Sequence, residues 1–481
     1  MEAGQAGSGS ETATGNSGRK WWVLLSVGVG TFMAALDGSV VNTILPVVTR
    51  AFGTDVATIE WVVVIYLLVL SGLLLTFGRL GDLNGHRQVY VSGFVVFVLS
   101  SALCGLAPSV AWLVAFRGLQ AIGAAMLAAN APAILTESFP TSQRGQALGL
   151  QATMTYLGLT AGPSLGGWLA TQFGWRAVFY INVPVGLLAM LLSLRVIPHD
   201  RRHEWAERFD RAGALTFLLG LVALLLALNQ GYDWGWTSAP VLALLAAAAL
   251  LVAAFLTLER RLPHPMLDLS LFRNRIFSAA AASAVLNYIC LYSIIFLLPF
   301  YLIQGRGLNP AQAGLLLTAQ PLVMAVAAPL SGTLSDRIGS RLLGTLGMVI
   351  LSLGLLLLSR LGSQSPLANV TVALAVVGLG TGIFVSPNNS ALMGAAPRQR
   401  QGIAAGILAT ARNLGMVLGV GLAGAIFTTV QARGLATGSA TALFTAASAG
   451  FMVASAIAIL AALTSLIRGN QKPASPKVSR A

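Results

Sequence analysis

Residues 21–48 read WWVLLSVGVGTFMAALDGSVVNTILPVV, a run in which Asp37 is the one charge. As a helix it would be about 42 Å long at 1.5 Å per residue, more than the roughly 30 Å of a bilayer's hydrocarbon layer. The run is read as a transmembrane helix, and Arg19 and Lys20 directly before it hold its start on the cytoplasmic side. Residues 1–18 are rich in Gly, Ser, Thr and Ala and lack the charged start and cleavage pattern of a signal peptide. They are expected to be disordered, and the first helix to remain as an uncleaved anchor.

Composition extends that reading to the whole chain. Of 481 residues 56% are hydrophobic and only 9% charged, against roughly a quarter charged in ordinary globular proteins. Water does not tolerate a surface that poor in charge, whereas lipid does. The net charge of +14 does not point to nucleic acid, because the basic residues sit singly or in small groups between apolar runs. The two cysteines, Cys104 and Cys290, lie in separate apolar segments, so neither a disulfide framework nor a metal cluster is expected.

Further apolar runs of spanning length follow at 61–77, 88–107, 111–135, 146–173, 177–194, 212–229 and 239–258. The series continues at 276–303, 311–334, 342–359, 367–387, 403–430 and 442–467, giving fourteen spans with both termini inside. Charge tests the count. Of 29 Lys and Arg, 22 fall on the cytoplasmic side, 5 outside (Arg50, Arg176, Arg306, Arg360, Arg433) and 2 within helices (Arg117, Arg412). A missed span would invert everything downstream and destroy that asymmetry.

A repeat divides the chain. GRLGDLNGHR at 78–87 is matched by GTLSDRIGSR at 332–341, an offset of 254 residues, and both follow an out-to-in helix. Similar halves in the same orientation imply two bundles related by an axis along the membrane normal. The expected organisation is an all-α integral membrane fold of two six-helix bundles, 21–194 and 276–467. A segment at 195–275 inserts two further helices between them, and a basic tail follows at 468–481. The loop 195–211 holds His199 and His203 beside Glu204, which without a third ligand reads as a solvated linker rather than a metal pair.

Three features carry chemistry. In the loop motif Gly78, Gly81 and Gly85 permit tight turns, and Asp82 and Arg87 place opposite charges at a helix corner. Recurrence of the pattern at Asp336 and Arg341 weighs against a mere topological charge. In GLTAGPSLGGW (158–168), Gly158, Gly162 and Gly166 form one face, followed by Gly167, and Pro163 should bend the helix. Ordinary packing and a moving bundle interface both fit it. Asp37 is the most informative residue, being the only acid deep within a span, where insertion costs about 2.5–3.5 kcal/mol. Arg117 lies within about 6 Å of its depth at 1.5 Å per residue. Burial disfavours the aspartate's charge and a nearby arginine favours it, so a rearrangement that alters either could load or release a proton. A static ion pair is the bland alternative. Arg412 has no acid at comparable depth in its half, and snorkelling, carbonyl binding and cavity lining all remain open for it.

GVGLAG at 419–424 lies inside a span with no strand before it, so a dinucleotide site is not expected, and no P-loop pattern occurs. The four histidines all fall in cytoplasmic loops. No catalytic constellation emerges, and neither enzyme activity nor a cofactor is expected.

LDGSVVNTILP (36–46) resembles the first-helix signature of the fourteen-span drug/proton antiporters of the major facilitator superfamily. GRLGDLNGHR, LVAFRGLQAIGAA (113–125), GLTAGPSLGGW and GWRAVFYINVPVG (174–186) resemble that family's next motifs, in order and on the matching helices. The second half matches more weakly, through GTLSDRIGSR and ARNLGMVLG (411–419). The resemblance implies the facilitator fold, alternating access and export of lipophilic drugs or natural products against protons across the inner membrane. It assigns Arg117 to proton coupling, the fifth-helix glycines to antiport and the loop motif to gating. Leu83 and His86 stand where that loop commonly carries basic residues, which weakens electrostatic gating. Acids that some multidrug members carry in the second half are missing, which favours neutral or monocationic cargo over dications. Asn42, Gln120, Tyr156, Asn287, Tyr292 and Gln320 are the candidate cavity residues. Protons, a small hydrophobic or amphipathic substrate and lipid are the expected partners of a monomer. An exporter of a defined metabolite and a non-transporting receptor for lipophiles are the alternatives.

Overall fold

In the computed structural model the described residues are 11–140, 143–198, 211–261, 269–397, 401–436, 439 and 441–468. The pair His199 and His203 with Glu204, and all of the basic tail but Arg468, lie outside them. The helices of the first half are α1 (Glu11–Phe52), α2 (Val56–Asn84), α3 (His86–Leu106), α4 (Val110–Ser138), α5 (Arg144–Phe173) and α6 (Ala177–Val196). Then come α7 (Arg211–Trp234) and α8 (Ala239–Arg261). The second half holds α9 (Arg275–Gly305), α10 (in two segments, Pro310–Leu317 and Ala319–Ile338), α11 (Ser340–Ser359), α12 (Leu367–Ala395), α13 (Gln401–Ala436) and α14 (Ala442–Ile467). No strand occurs among the described residues.

Thirteen of these helices are long and apolar enough to cross a membrane. The exception among the fourteen expected is α5, whose thirty residues include six glycines, four threonines and three glutamines that dilute its hydropathy. Its length is still that of a span. α1 starts at Glu11, so residues 11–18, expected to be disordered, belong to the first helix. Two helices break where a proline withdraws a backbone donor. Pro184 has no N–H to give the Tyr180 carbonyl at the interruption in α6, and Pro321 has none for Leu317 between the segments of α10.

Packing within the halves follows the repeat. α1 packs on α5 and α6, α2 on α4, and α3 on α4 and α6; α9 packs likewise on α13 and α14, α10 on α12, and α11 on α12 and α14. Details recur at the same 254-residue offset. Asp55 caps α2 by accepting from the Thr58 N–H, and Asn309 caps α10 by accepting from the Gln312 N–H. Gly85 (φ 103°) turns α2 into α3, and Gly339 (φ 88°) turns α10 into α11. With φ positive and ψ of 130° and 154°, both sit where little but glycine is found, and a side chain at either strains the turn by about 1–3 kcal/mol. Gly339→Ala should therefore lower the thermal midpoint of the solubilised protein, and an unchanged midpoint would show that the turn relaxes.

The outer surface is apolar. Leu188, Leu250, Leu315, Val326 and Leu330 are 65–71% exposed, a belt that lipid covers and water would not. α8 packs chiefly on α7, and α7 lies against α2 and α13, where the two halves meet.

Two seams join the halves, α5 with α10 and α2 with α13, and the twofold repeat exchanges them. The seam contacts that can be named by residue gather at the end bearing the α1–α2 and α9–α10 connections, the end expected outside from the positive-inside count. Gly167 meets the Pro310 carbonyl, and Gly314 meets the Pro163 carbonyl. Ser164 and Thr318 share a hydrogen bond, and Arg50 donates to the Ile303 carbonyl at 3.2 Å. At this end the halves are shut against each other.

Candidate functional site

Asp37 sits in the middle of α1 and is 1% exposed. Its partners come from two other helices of the same half. Arg117 on α4 donates through Nη1 to Asp37 Oδ2 at 2.6 Å. Gln120, one turn along α4, donates to Oδ1 at 3.0 Å, and Asn182 on α6 donates to the same oxygen at 2.7 Å. Three donors on two oxygens are what an ionised carboxylate accepts, since a protonated acid would bring a donor of its own.

A second ring of contacts fixes Arg117. Its Nε donates to the Val62 carbonyl of α2 at 3.2 Å and its Nη1 also to Gln120 Oε1 at 2.5 Å. The guanidinium carbon stands 4.0 Å from the centre of the Tyr66 ring, a cation–π contact in a desolvated place. Gln120 is held by donating to the Ser101 hydroxyl of α3 at 2.7 Å. Five helices thus converge on one carboxylate. Breaking a buried pair of this kind by removing one partner costs about 3–5 kcal/mol, because the other charge is stranded.

The depth argument from sequence therefore leads to a direct contact between Asp37 and Arg117. It missed Asn182, Tyr66 and the α2 carbonyl. Asn182 was visible as a lone amide in the apolar entry to α6, but nothing local says that it faces α1. Glu60, directly before the apolar run at 61–77, is a further buried acid. It lies one turn inside α2, 1% exposed, beside α7 and α13.

The glycine face of α5 divides. Gly158, Gly162 and Gly166 lie against Phe32, Leu36, Ser39 and Val40 of α1, packing within one half. Only Gly167 reaches the other half, at the α5–α10 seam, where the neighbouring Pro163 carbonyl receives Gly314. In the loop motif Gly78 and Gly81 face α4, and a side chain at Gly81 would run into Asn130 and His86. His86 shares a hydrogen bond of 2.8 Å with Asn130, and Arg87 donates to the Leu194 carbonyl of α6 at 2.8 Å. The loop is thereby tied to its own half. The side chains of Asp82, Asp336 and Tyr156 lie outside the described residues, and Arg341 stands in the first turn of α11.

Of the remaining cavity candidates, Gln120 belongs to the Asp37 network. Asn42 and Asn287 are fully enclosed, the former donating to the Gly38 carbonyl and the latter without a partner for either amide atom. The expectation that these residues line an open space does not hold for them in this conformation, because helix packing surrounds both. Tyr292 and Gln320 are buried in the second half, and Tyr292 stands near Tyr66 of the first half and Tyr288 of its own helix. Arg412 lies beside the Tyr288 hydroxyl of α9, and its Nε is buried without a hydrogen-bond partner. Cys104 and Cys290 are both buried and free.

Comparison with known proteins follows the same lines. The family model described as Major Facilitator Superfamily matches residues 27–419 and again 280–481. The riboflavin transporter RibZ of Clostridioides difficile is 35% identical over 410 residues, covering 85% of this chain and 88% of that protein. The multidrug resistance protein Stp of Mycobacterium tuberculosis is 36% identical over 84% of this chain and 75% of its own length. The tetracenomycin C resistance and export protein of Streptomyces glaucescens is 33% identical over 86% of this chain and 77% of its own. Among solved structures, a bacterial homologue of the human lysosomal transporter Spinster superposes with a TM-score of 0.68 at 17% identity. That alignment covers 95% of this chain and 99% of the homologue, and at such identity it shows the fold.

Proposed function

This chain belongs to the major facilitator superfamily and is a multi-pass membrane transporter, and from that premise we propose that it exports small hydrophobic or amphipathic compounds in exchange for protons. The observation that carries the proposal is Asp37, a carboxylate inside the first-half bundle whose hydrogen bonds come from α4 and α6. The names of the drug-resistance relatives support the cargo class. The orientation assumed is that of the positive-inside count, with both termini cytoplasmic in the inner membrane.

In this reading the conformation, shut at the outer end, is the one that has released its proton. Asp37 is satisfied as an ion by Arg117, Gln120 and Asn182. Cargo entering from the cytoplasmic side meets the face formed by α1, α4, α9 and α13 and displaces Arg117 from its carbonyl and carboxylate partners. The rearrangement opens the outer end, where Asp37 gains access to a proton and gives up its hold on Arg117. Cargo leaves, the neutral acid lets the halves close again, and the proton departs inward. A membrane potential of 100 mV contributes about 2.3 kcal/mol per charge carried inward.

Inverted vesicles that contain the purified protein test this directly. An imposed pH gradient, acidic inside, should drive accumulation of a lipophilic dye, and collapse of the gradient should abolish it. Binding of dye without gradient-dependent accumulation would instead identify a receptor. A riboflavin transporter among the relatives favours one second reading, export of a defined metabolite. Accumulation of a single compound in the same vesicles, with drugs inert, would decide for it.

A further inference from the structure

The twofold repeat exchanges the α5–α10 seam with the α2–α13 seam, and one position on the second breaks the pattern. The offset that carries Asp55 to Asn309 and Val56 to Pro310 carries Glu60 to Gly314. On the first seam, Gly314 lets two backbones touch with no side chain between them. On the second, its counterpart is a carboxylic acid. Glu60 is 1% exposed and its carboxyl is pressed against Gly424 of α13, where even a methyl group would overlap Oε2. Oε1 accepts from Asn229 of α7 at 2.6 Å, and Oε2 is buried with no hydrogen-bond partner.

No cation answers this acid among the described residues. On α2 itself the charge that acts on it is the carboxylate of Asp55, a like charge. α7 brings the neutral amide of Asn229, and its Asp233 is exposed one turn further on. α13 brings Gly424, and the exposed Arg433 lies nine residues beyond it. A carboxylate so placed would leave a net charge with one hydrogen bond in a dry seam. The neutral acid leaves only one unpaired polar atom.

We propose that Glu60 is a second proton-binding site, at the outer seam between the halves, which takes a proton from the outside when α2 and α13 close and returns it there when they part. The site follows from the alternating-access reading but does not involve Asp37, and its proton is not the one carried across. α7, inserted between the halves, supplies the amide that holds the acid in place. The consequence is a direct link from external acidity to conformation. Closure binds one proton, so the ratio of shut to open protein should rise up to about tenfold per unit fall in pH.

Spin labels on Thr58→Cys and Leu435→Cys, both exposed at the outer ends of α2 and α13, report the seam by distance measurement in nanodiscs. In the otherwise unaltered protein the short-distance population should grow as pH falls from about 8 to about 5. E60Q should hold the short distance throughout that range. D37N, which removes the carried proton, should keep the pH-dependent step. A seam distance that ignores pH in the otherwise unaltered protein overturns the proposal without any variant at Glu60. So does an E60Q protein that follows the unaltered curve, and E60A is read in its place if E60Q does not reach the membrane. Neither failure bears on the Asp37 exchange, which dye flux measures separately.

Discussion

Gradient-driven export per inserted molecule should fall at least about a hundredfold in Asp37→Asn, because no titrating group then remains at the centre of the α1–α4–α6 network. The amide is nearly isosteric and keeps an acceptor for Asn182 or Gln120, so the change is one of charge and proton exchange rather than of shape. It has a structural cost as well. Arg117 loses its counterion while 1% exposed, and its remaining partners are the Val62 carbonyl, Gln120 Oε1 and the Tyr66 ring. Stranding a buried charge costs about 3–5 kcal/mol, so abundance in the membrane should drop too. Flux must therefore be normalised to inserted protein. The double variant Asp37→Asn, Arg117→Gln separates the two effects: it should restore abundance while export stays lost. Recovery of export together with abundance would mean that the pair only holds α1 to α4.

How much of this site could be read in advance depended on the kind of information each residue carries. Asp37 announced itself because a lone acid in an apolar run is costly enough to need a reason, and Arg117 followed from depth along two helices. Such arguments need only position along the membrane normal. Asn182 and Tyr66 required the angular position of α6 and α2 around α1, and a chain that is apolar on its lipid face and its packed face alike gives no periodicity from which to take it. The repeat was legible for the opposite reason. Glycines at Gly85 and Gly339 are demanded by a positive φ, so the turn leaves the same mark in both halves. The α5 glycines misled in one respect. A small-residue face says that some backbone comes close, and the structure gives that role to α1 for three of them and to the opposite half for Gly167 alone. Glu60 was concealed by its place in the sequence, close to a helix start where acids are ordinarily solvated, and only the approach of α7 and α13 makes it buried.

That division of the α5 glycines yields the second large effect. Gly162→Leu inserts a side chain where the Cβ alone would meet Ser39 of α1 at 2.5 Å, inside a bundle that does not need to move internally. Overpacking of this kind costs about 1–3 kcal/mol, and the variant should lose abundance while the surviving molecules keep most of their turnover. Gly167→Leu and Gly314→Leu strike a contact that exists only while the outer end is shut, since Pro310 and Pro163 belong to the opposite halves. Each half can fold around such a side chain undisturbed, but the seam cannot close over it. Abundance should therefore stay near that of the unaltered protein while export per molecule falls at least about tenfold, as expected when a required state is raised by about 1.4 kcal/mol or more. The two substitutions should not be additive, because either one already holds the same seam apart. Quantitative fluorescence of tagged protein beside dye flux measures both quantities. If Gly167→Leu and Gly162→Leu lose abundance and turnover in the same proportion, the α5–α10 contact is a fixed joint and the halves do not part along it.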